Sequence, residues 1–216
     1  MGALSTRAHA AIDQIKVACK EIDSLPIAEK IDVINEIKQI LHAISPFARE
    51  PVDCVLWVPN DSVHANDYNP NRVAPPEMRL LEESIQQDGY TQPIVTWQND
   101  DSREVVDGFH RNLVGRTSQS VRQRVFEYLP VTTINQDRSD RSDRIAATIR
   151  HNRARGKHQI QAMSEIIIEL SKRNWSDSKI AKELGMDADE VLRLKQISGL
   201  AEMFADRDFS EAWEIQ

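Results

Sequence analysis

Cysteine is nearly missing from this 216-residue chain: Cys19 and Cys54 are its two cysteines, in dissimilar segments and without a CxxC pair. That excludes a disulfide scaffold and a cysteine-rich zinc site, and it predicts reduced thiols in a cytoplasmic protein. Long apolar runs are missing too. No stretch approaches the roughly 18 residues of a membrane-spanning helix. The opening Met1-Gly2-Ala3-Leu4-Ser5-Thr6 lacks the basic-then-apolar pattern of a secretory signal. Gly2 and Thr6 fit the loose myristoylation pattern, but with no second anchor the match is read as chance. Positive charge is also short: the net charge of −7 excludes coating of nucleic acid by bulk electrostatics. Any DNA contact must come from a local basic patch.

What is present is ordinary globular composition, 40% hydrophobic and 28% charged, enough for one large or two small domains. Residues 4–45 carry apolar side chains at helical spacing in two runs, Ala8 to Ile22 and Ile31 to Leu41, separated by Ser24-Leu25-Pro26. This predicts a helical hairpin that packs or dimerises. After a break from Pro46 to Pro51, Val52–Pro59 is β-prone and Asn66–Asn71 is turn-forming. Pro75-Pro76 opens a helix with Met78, Leu80, Leu81 and Ile85 as its apolar residues and Gly89 as its C-cap. Strands are expected at Gln92–Trp97, Arg103–Asp107 and Phe126–Ile134, with a helix over Phe109–Arg116.

The chemistry gathers at Glu104-Val-Val-Asp107-Gly108-Phe109-His110-Arg111. A buried strand breaks at a residue with no Cβ and turns directly into a helix. The amides at that helix start make an anion site, and His110 and Arg111 set nitrogen donors beside it. The plain alternative is an αβ turn with surface cations. A second basic stretch, Arg150-His151-Asn152-Arg153-Ala154-Arg155-Gly156-Lys157-His158, reads either as a solvated face or as a segment that closes over a triphosphate. Farther on, Trp175–Gln196 fits a helix-turn-helix, with Ile180, Ala181, Leu184, Gly185, Met186, Val191 and Leu194 at its core and turn positions. Asp187, Asp189 and Glu190 at the start of its second helix would repel phosphate, and Arg193 and Lys195 compensate in part. A structural or partner-binding module is therefore favoured over specific DNA reading.

With these residues in view the chain resembles the ParB/sulfiredoxin superfamily. Four segments carry the resemblance in family order: Asn69-Pro70-Asn71, Leu81–Ile85 with Gly89, Gln92, Pro93 and Ile94, Asp107–Arg111, and His151–Arg155. Phe109 stands where sulfiredoxin has its reactive cysteine, which excludes that activity. The chain is most similar to IbrB-type (immunoglobulin-binding regulator B) ParB-like proteins, described as co-activators paired with a phosphoadenosine-phosphosulfate-reductase-like partner.

The resemblance implies an α+β fold: a mixed sheet with helices, preceded by the hairpin and followed by an all-α helix-turn-helix region. The implied divisions are 1–50, 51–158 and 159–216. It further implies a Mg²⁺-dependent nucleoside triphosphatase, ATP favoured over CTP, with Asp107, His110 and Arg111 catalytic. Nucleotide contacts would come from Asn69, Ser84, Gln92, Gly108, Phe109, His110, Arg111, His151, Asn152 and Arg155, with Asn152 also near the metal. Arg193 and Lys195 are the DNA candidates, and a homodimer is allowed. Two rival expectations are a non-enzymatic transcriptional co-activator and a small-molecule kinase of the free-serine kinase type.

Overall fold

A computed structural model describes residues 4–66, 75–99, 102–134, 140–153 and 160–204. The chain is α+β. Helices α1 (Thr6–Asp23) and α2 (Ile27–Ala43) form the expected hairpin, and neither buries a residue. Pro26 sits at the N-cap of α2, one residue ahead of the first turn. The hairpin is fixed to the body by side chains of α2. Asn35 donates to the Trp57 carbonyl at 2.6 Å and accepts from the Trp57 amide at 3.0 Å. Lys38 donates to the Val55 carbonyl at 2.8 Å, and His42 meets Asp53 at 2.7 Å. Asn35 thereby satisfies backbone groups on the outermost strand, where no further strand does so.

The sheet holds β1 (Leu56–Pro59), β2 (Val63–His64), β3 (Ile94–Asn99), β4 (Ser102–Asp107) and β5 (Tyr128–Thr133), ordered β1-β5-β3-β4-β2. It is mixed: β1–β5 and β3–β4 are antiparallel, β3–β5 and β2–β4 parallel. Strand alternation sends Val105 into a core with Val63, Ile94, Leu129 and Val131, and Val106 to the other face against Trp97 and Ala147. Helices α3 (Pro75–Asp88), α4 (Phe109–Thr117) and α5 (Gln119–Arg124) share a smaller core of Ile85, Val114 and Val121.

The structure differs from the sequence reading at four points. Residues Pro51–Asp53 form a 3-10 turn, and the strand starts only at Leu56. Phe126 and Glu127 are left-handed (φ 54° and 65°), so β5 starts at Tyr128. Glu127 holds that reversal by accepting from Arg122 at 2.7 Å and Asn60 at 2.8 Å. Leu80 is 70% exposed and is no core residue of α3. The short strand β2 and helix α5 were not foreseen.

Helices α6 (Arg141–Arg153), α7 (Ile160–Lys172), α8 (Asp177–Leu184) and α9 (Ala188–Phe204) complete the described chain. Their core joins Ile145 and Ile149 of α6 to Ile167, Leu170, Ile180, Leu184, Val191 and Leu194. Each such burial contributes about 1.5–3 kcal/mol. All seven residues singled out for the helix-turn-helix fill their expected places: six are buried, and Gly185 caps α8 at φ 64°. Helix α6 belongs to both parts, since Ala147 packs on the sheet with Trp97 and Val106. Arg144 lies 4.5 Å from the Trp97 ring centroid and 3.4 Å from Glu104, while Arg150 reaches Glu183 at 2.7 Å.

Candidate nucleotide site

The β4–α4 corner has the shape its sequence dictates. The strand ends at Asp107, Gly108 adopts φ 89° and ψ 26°, and α4 begins at Phe109. The first intrahelical bond runs from the Asn112 amide to the Gly108 carbonyl at 2.9 Å. The amides of Phe109, His110 and Arg111 precede it and lie at the positive end of the helix dipole. A Cβ at Gly108 would stand 3.0 Å from Arg111 Nη2 and 3.3 Å from Ile94 Cα, so the missing side chain is required twice over, by conformation and by space.

Arg111 folds back beneath that glycine. It donates to Gln92 Oε1 at 2.8 Å and to the Pro93 carbonyl at 3.3 Å, and lies 3.6 Å from Asp107 Oδ2. Asp107 is itself buried. The guanidinium is thus preorganised by its own neighbours. Tyr90 donates to the Arg111 carbonyl at 3.2 Å, and burial pushes its phenol up to about 12, so it remains a donor. His110 is half-buried and meets the Phe109 ring edge-on at 5.4 Å. Burial, then the adjacent Arg111 charge, lowers its pKa below the ordinary 6.5, against a weaker opposing pull from Glu77. Near neutrality His110 is an uncharged imidazole, suited to hydrogen bonding or proton transfer. The Phe109 side chain packs on the core of Val63, Ile94 and Val131, which leaves its amide as the group facing the corner.

Ser84 is exposed on α3 beside buried Ile85. Gln92 contacts Arg111, and His151 and Asn152 lie in the last turn of α6. Asn69 and Arg155 lie outside the described residues. The flanks of the motifs nevertheless meet at one side chain that sequence reasoning missed. Buried Asn66 donates to the Val105 carbonyl of β4 at 2.6 Å and reaches Thr148 of α6 at 3.4 Å. It stands three residues before Asn69 and links the strand leading to Gly108 with the helix leading to His151. Two more unforeseen residues border the corner. Asn112 is 2% exposed, with its Oδ1 unpartnered among the described residues. Gly115 has no room for a side chain, because Tyr90 and Leu129 occupy the space.

As for metals, no group of three or more His, Cys, Asp or Glu that could hold an ion occurs among the described residues. Asp107 is the carboxylate at the corner. Magnesium, which takes most of its ligands from phosphate and water, is compatible with such a sparse donor set.

At the other end, α9 opens with Asp187 and Asp189 exposed. Lys195 is ion-paired with Asp177, whereas Arg193 is exposed. Leu192 and Ile197, 50% and 42% exposed, add apolar surface to the same helix.

The family description "IbrB-like C-terminal HTH domain" matches residues 158–206. The uncharacterized protein YbdM of Escherichia coli (strain K12) is 59% identical over 194 residues, covering 89% of this chain and 91% of YbdM. The chain belongs to the YbdM family. Its C-terminal part is of the IbrB-like helix-turn-helix type. Two solved structures of the Caulobacter crescentus chromosome-partitioning protein ParB, both C-terminally truncated and 16% identical, are also similar. The complex with CTP-gamma-S covers 69% of this chain and 83% of that one at a TM-score of 0.38. The complex with the centromeric parS site covers 68% and 75% at 0.44. No helix among the described residues is long and apolar enough to cross a membrane.

Proposed function

We propose that this YbdM-family protein binds a nucleoside triphosphate at the β4–α4 corner and hydrolyses it slowly with Mg²⁺, ATP being favoured over CTP. The observation that carries the reading is a helix N-terminus opened by a left-handed glycine, with a braced arginine beneath it and a neutral histidine beside it. Phosphate oxygens would take the amides of Phe109, His110 and Arg111. Arg111 would stabilise charge developing on the transferred phosphoryl group, and His110 would donate to it or move a proton. Asp107 would orient water or the metal's hydration shell. Ser84, Gln92, Asn69, His151, Asn152 and Arg155 would complete the nucleotide contacts, with Asn152 also near the metal. The helix-turn-helix would then report the nucleotide state to a regulatory partner.

Calorimetry with each of ATP, CTP, GTP and UTP, with and without Mg²⁺, tests this directly. Arg111→Lys is the informative variant, since it keeps the charge and loses the two-pronged fork. Micromolar binding of one nucleotide by the wild type, weakened at least about tenfold in Arg111→Lys, is expected. No binding by a folded wild type would refute the reading. Phosphate release measured alongside separates turnover from binding.

A second reading, a non-enzymatic co-activator, is favoured by one specific observation. The exposed face of α9 combines carboxylates with Leu192 and Ile197, and one of its two DNA candidates, Lys195, is already paired. Such a face suits a protein partner better than a phosphate backbone, and the resemblance implies a phosphoadenosine-phosphosulfate-reductase-like one. A small-molecule kinase would need a carboxylate base, either Asp67, which lies outside the described residues, or Asp107 released from Arg111. ADP formed only when a hydroxylated metabolite is added would favour it.

A further inference from the structure

A cavity of about 310 Å³ lies between α2 and the β1/β5 edge, away from the corner. Its wall is apolar and ring-rich, with Ile31 and Ile34 from the hairpin facing Trp57, Phe126 and Tyr128 from the sheet side. The volume falls at the lower end of the range for small-ligand sites, about 300–1,000 Å³. The wall is preformed. Asn35 clamps the Trp57 backbone on both sides, and Tyr90 holds its ring edge-on at 6.3 Å. Two cations, Lys38 and Arg124, also line the cavity. Neither has a carboxylate within ion-pair distance among the described residues. Lys38 touches the Val55 carbonyl, and Arg124 the carbonyls of Ile85 and Gln86. Positive charge set against an apolar wall with no counter-ion is costly unless an anion joins it.

The rim adds an independent observation. Phe126 and Glu127 are consecutive non-glycine residues at positive φ, a conformation that L side chains rarely adopt. That conformation keeps Phe126 57% exposed at the cavity instead of folded into the core. Strain of this kind persists where the surroundings impose it and gathers at ligand-holding loops.

We propose that this cavity binds a small aromatic carboxylate, its ring between Trp57, Phe126 and Tyr128 and its carboxylate on Lys38 and Arg124. The site is independent of the nucleotide reading, because none of these residues belongs to the β4–α4 corner.

The test uses the full chain with indole-3-acetate and its neutral analogue indole-3-acetamide, read by saturation-transfer NMR and calorimetry. The acid should bind, and the amide should bind at least about tenfold more weakly. Lys38→Met keeps the aliphatic stem but loses one of the two cations and the bond to the Val55 carbonyl, so it should reduce that preference severalfold, with circular dichroism confirming that the helices remain folded. Ile34→Trp, which fills the space, should abolish binding of both probes. Sedimentation under the same conditions distinguishes the rival occupant, a second copy of the chain. The proposal is overturned by equal affinity for acid and amide, by no binding of either, by binding that survives Ile34→Trp in a folded protein, or by a dimer that Ile34→Trp dissociates.

Discussion

Replacing Gly108 by alanine isolates what the corner requires of that position. The residue sits at φ 89°, where an L side chain costs about 1–2 kcal/mol. A Cβ would also meet Arg111 Nη2 at 3.0 Å, Arg111 Nε at 3.1 Å and Ile94 Cα at 3.3 Å. The guanidinium can slide away, but the Ile94 backbone is fixed inside β3, between two paired strands. Crowding against it should add on the order of 1 kcal/mol. For a chain of this length, each kcal/mol lowers the melting temperature by about 2–4 °C, so Gly108→Ala should melt about 4–12 °C below wild type. Gly89→Ala is the internal control: its φ is 78°, with nothing within 4 Å of an added Cβ, so it should show the conformational part alone. The assay is thermal unfolding by circular dichroism for both variants, with nucleotide calorimetry alongside. Displacing Arg111 should weaken nucleotide binding in Gly108→Ala and leave it intact in Gly89→Ala. Equal melting temperatures for the two variants would refute the claim that Arg111 and Ile94 crowd this position.

Three more perturbations have definite signs. His110 has its pKa lowered on folding, so its contribution to stability is fully present above the unfolded value near 6.5 and is lost as pH falls below it. Melting curves between pH 7.5 and 5 should therefore fall more steeply for wild type than for His110→Gln, and parallel curves would contradict this. Gly115→Ala forces a methyl into Tyr90 and Leu129 and should cost about 1–3 kcal/mol in urea unfolding, although alanine is the better helix former. Asn66→Ala removes the buried link from Val105 to Thr148 and should cost about 1–3 kcal/mol, with faster amide exchange in β4 and α6.

Local signals were legible in the sequence; signals that depend on a distant partner were not. The helix-turn-helix could be read because its apolar spacing and turn glycine are fixed within some twenty residues. Gly108 could be read because only glycine follows a strand into that turn at low cost. Phe126 and Glu127 misled, because a β-prone run gives no hint that Arg122 and Asn60 will hold Glu127 in a left-handed reversal. Leu80 misled for a related reason: helical spacing predicts an apolar stripe but does not say where its edge falls. The inward fold of Arg111 depends on Gln92 and Pro93, nearly twenty residues upstream, and so was invisible in the motif itself.

Helix α6 shows why a division of this chain by sequence alone is least informative where function would need it most. Its Ala147 and Arg144 bear on the sheet, its Ile145 and Ile149 on the helix-turn-helix, and Arg150 is ion-paired to α8. A helix with apolar residues on two faces has no single stripe, so its pattern is weak in the sequence because both faces are in use. His151 and Asn152 lie at the same helix end. A ligand that moved this end would have to shift both cores or neither, since close-packed interfaces do not deform by degrees. If nucleotide binding speaks to the C-terminal module, α6 is the element able to carry it, and Ala147→Leu should test the point. Overpacking the sheet side by a few methylenes should change nucleotide affinity and the melting of the C-terminal helices together. A change in one without the other would show that the two faces of α6 are not coupled.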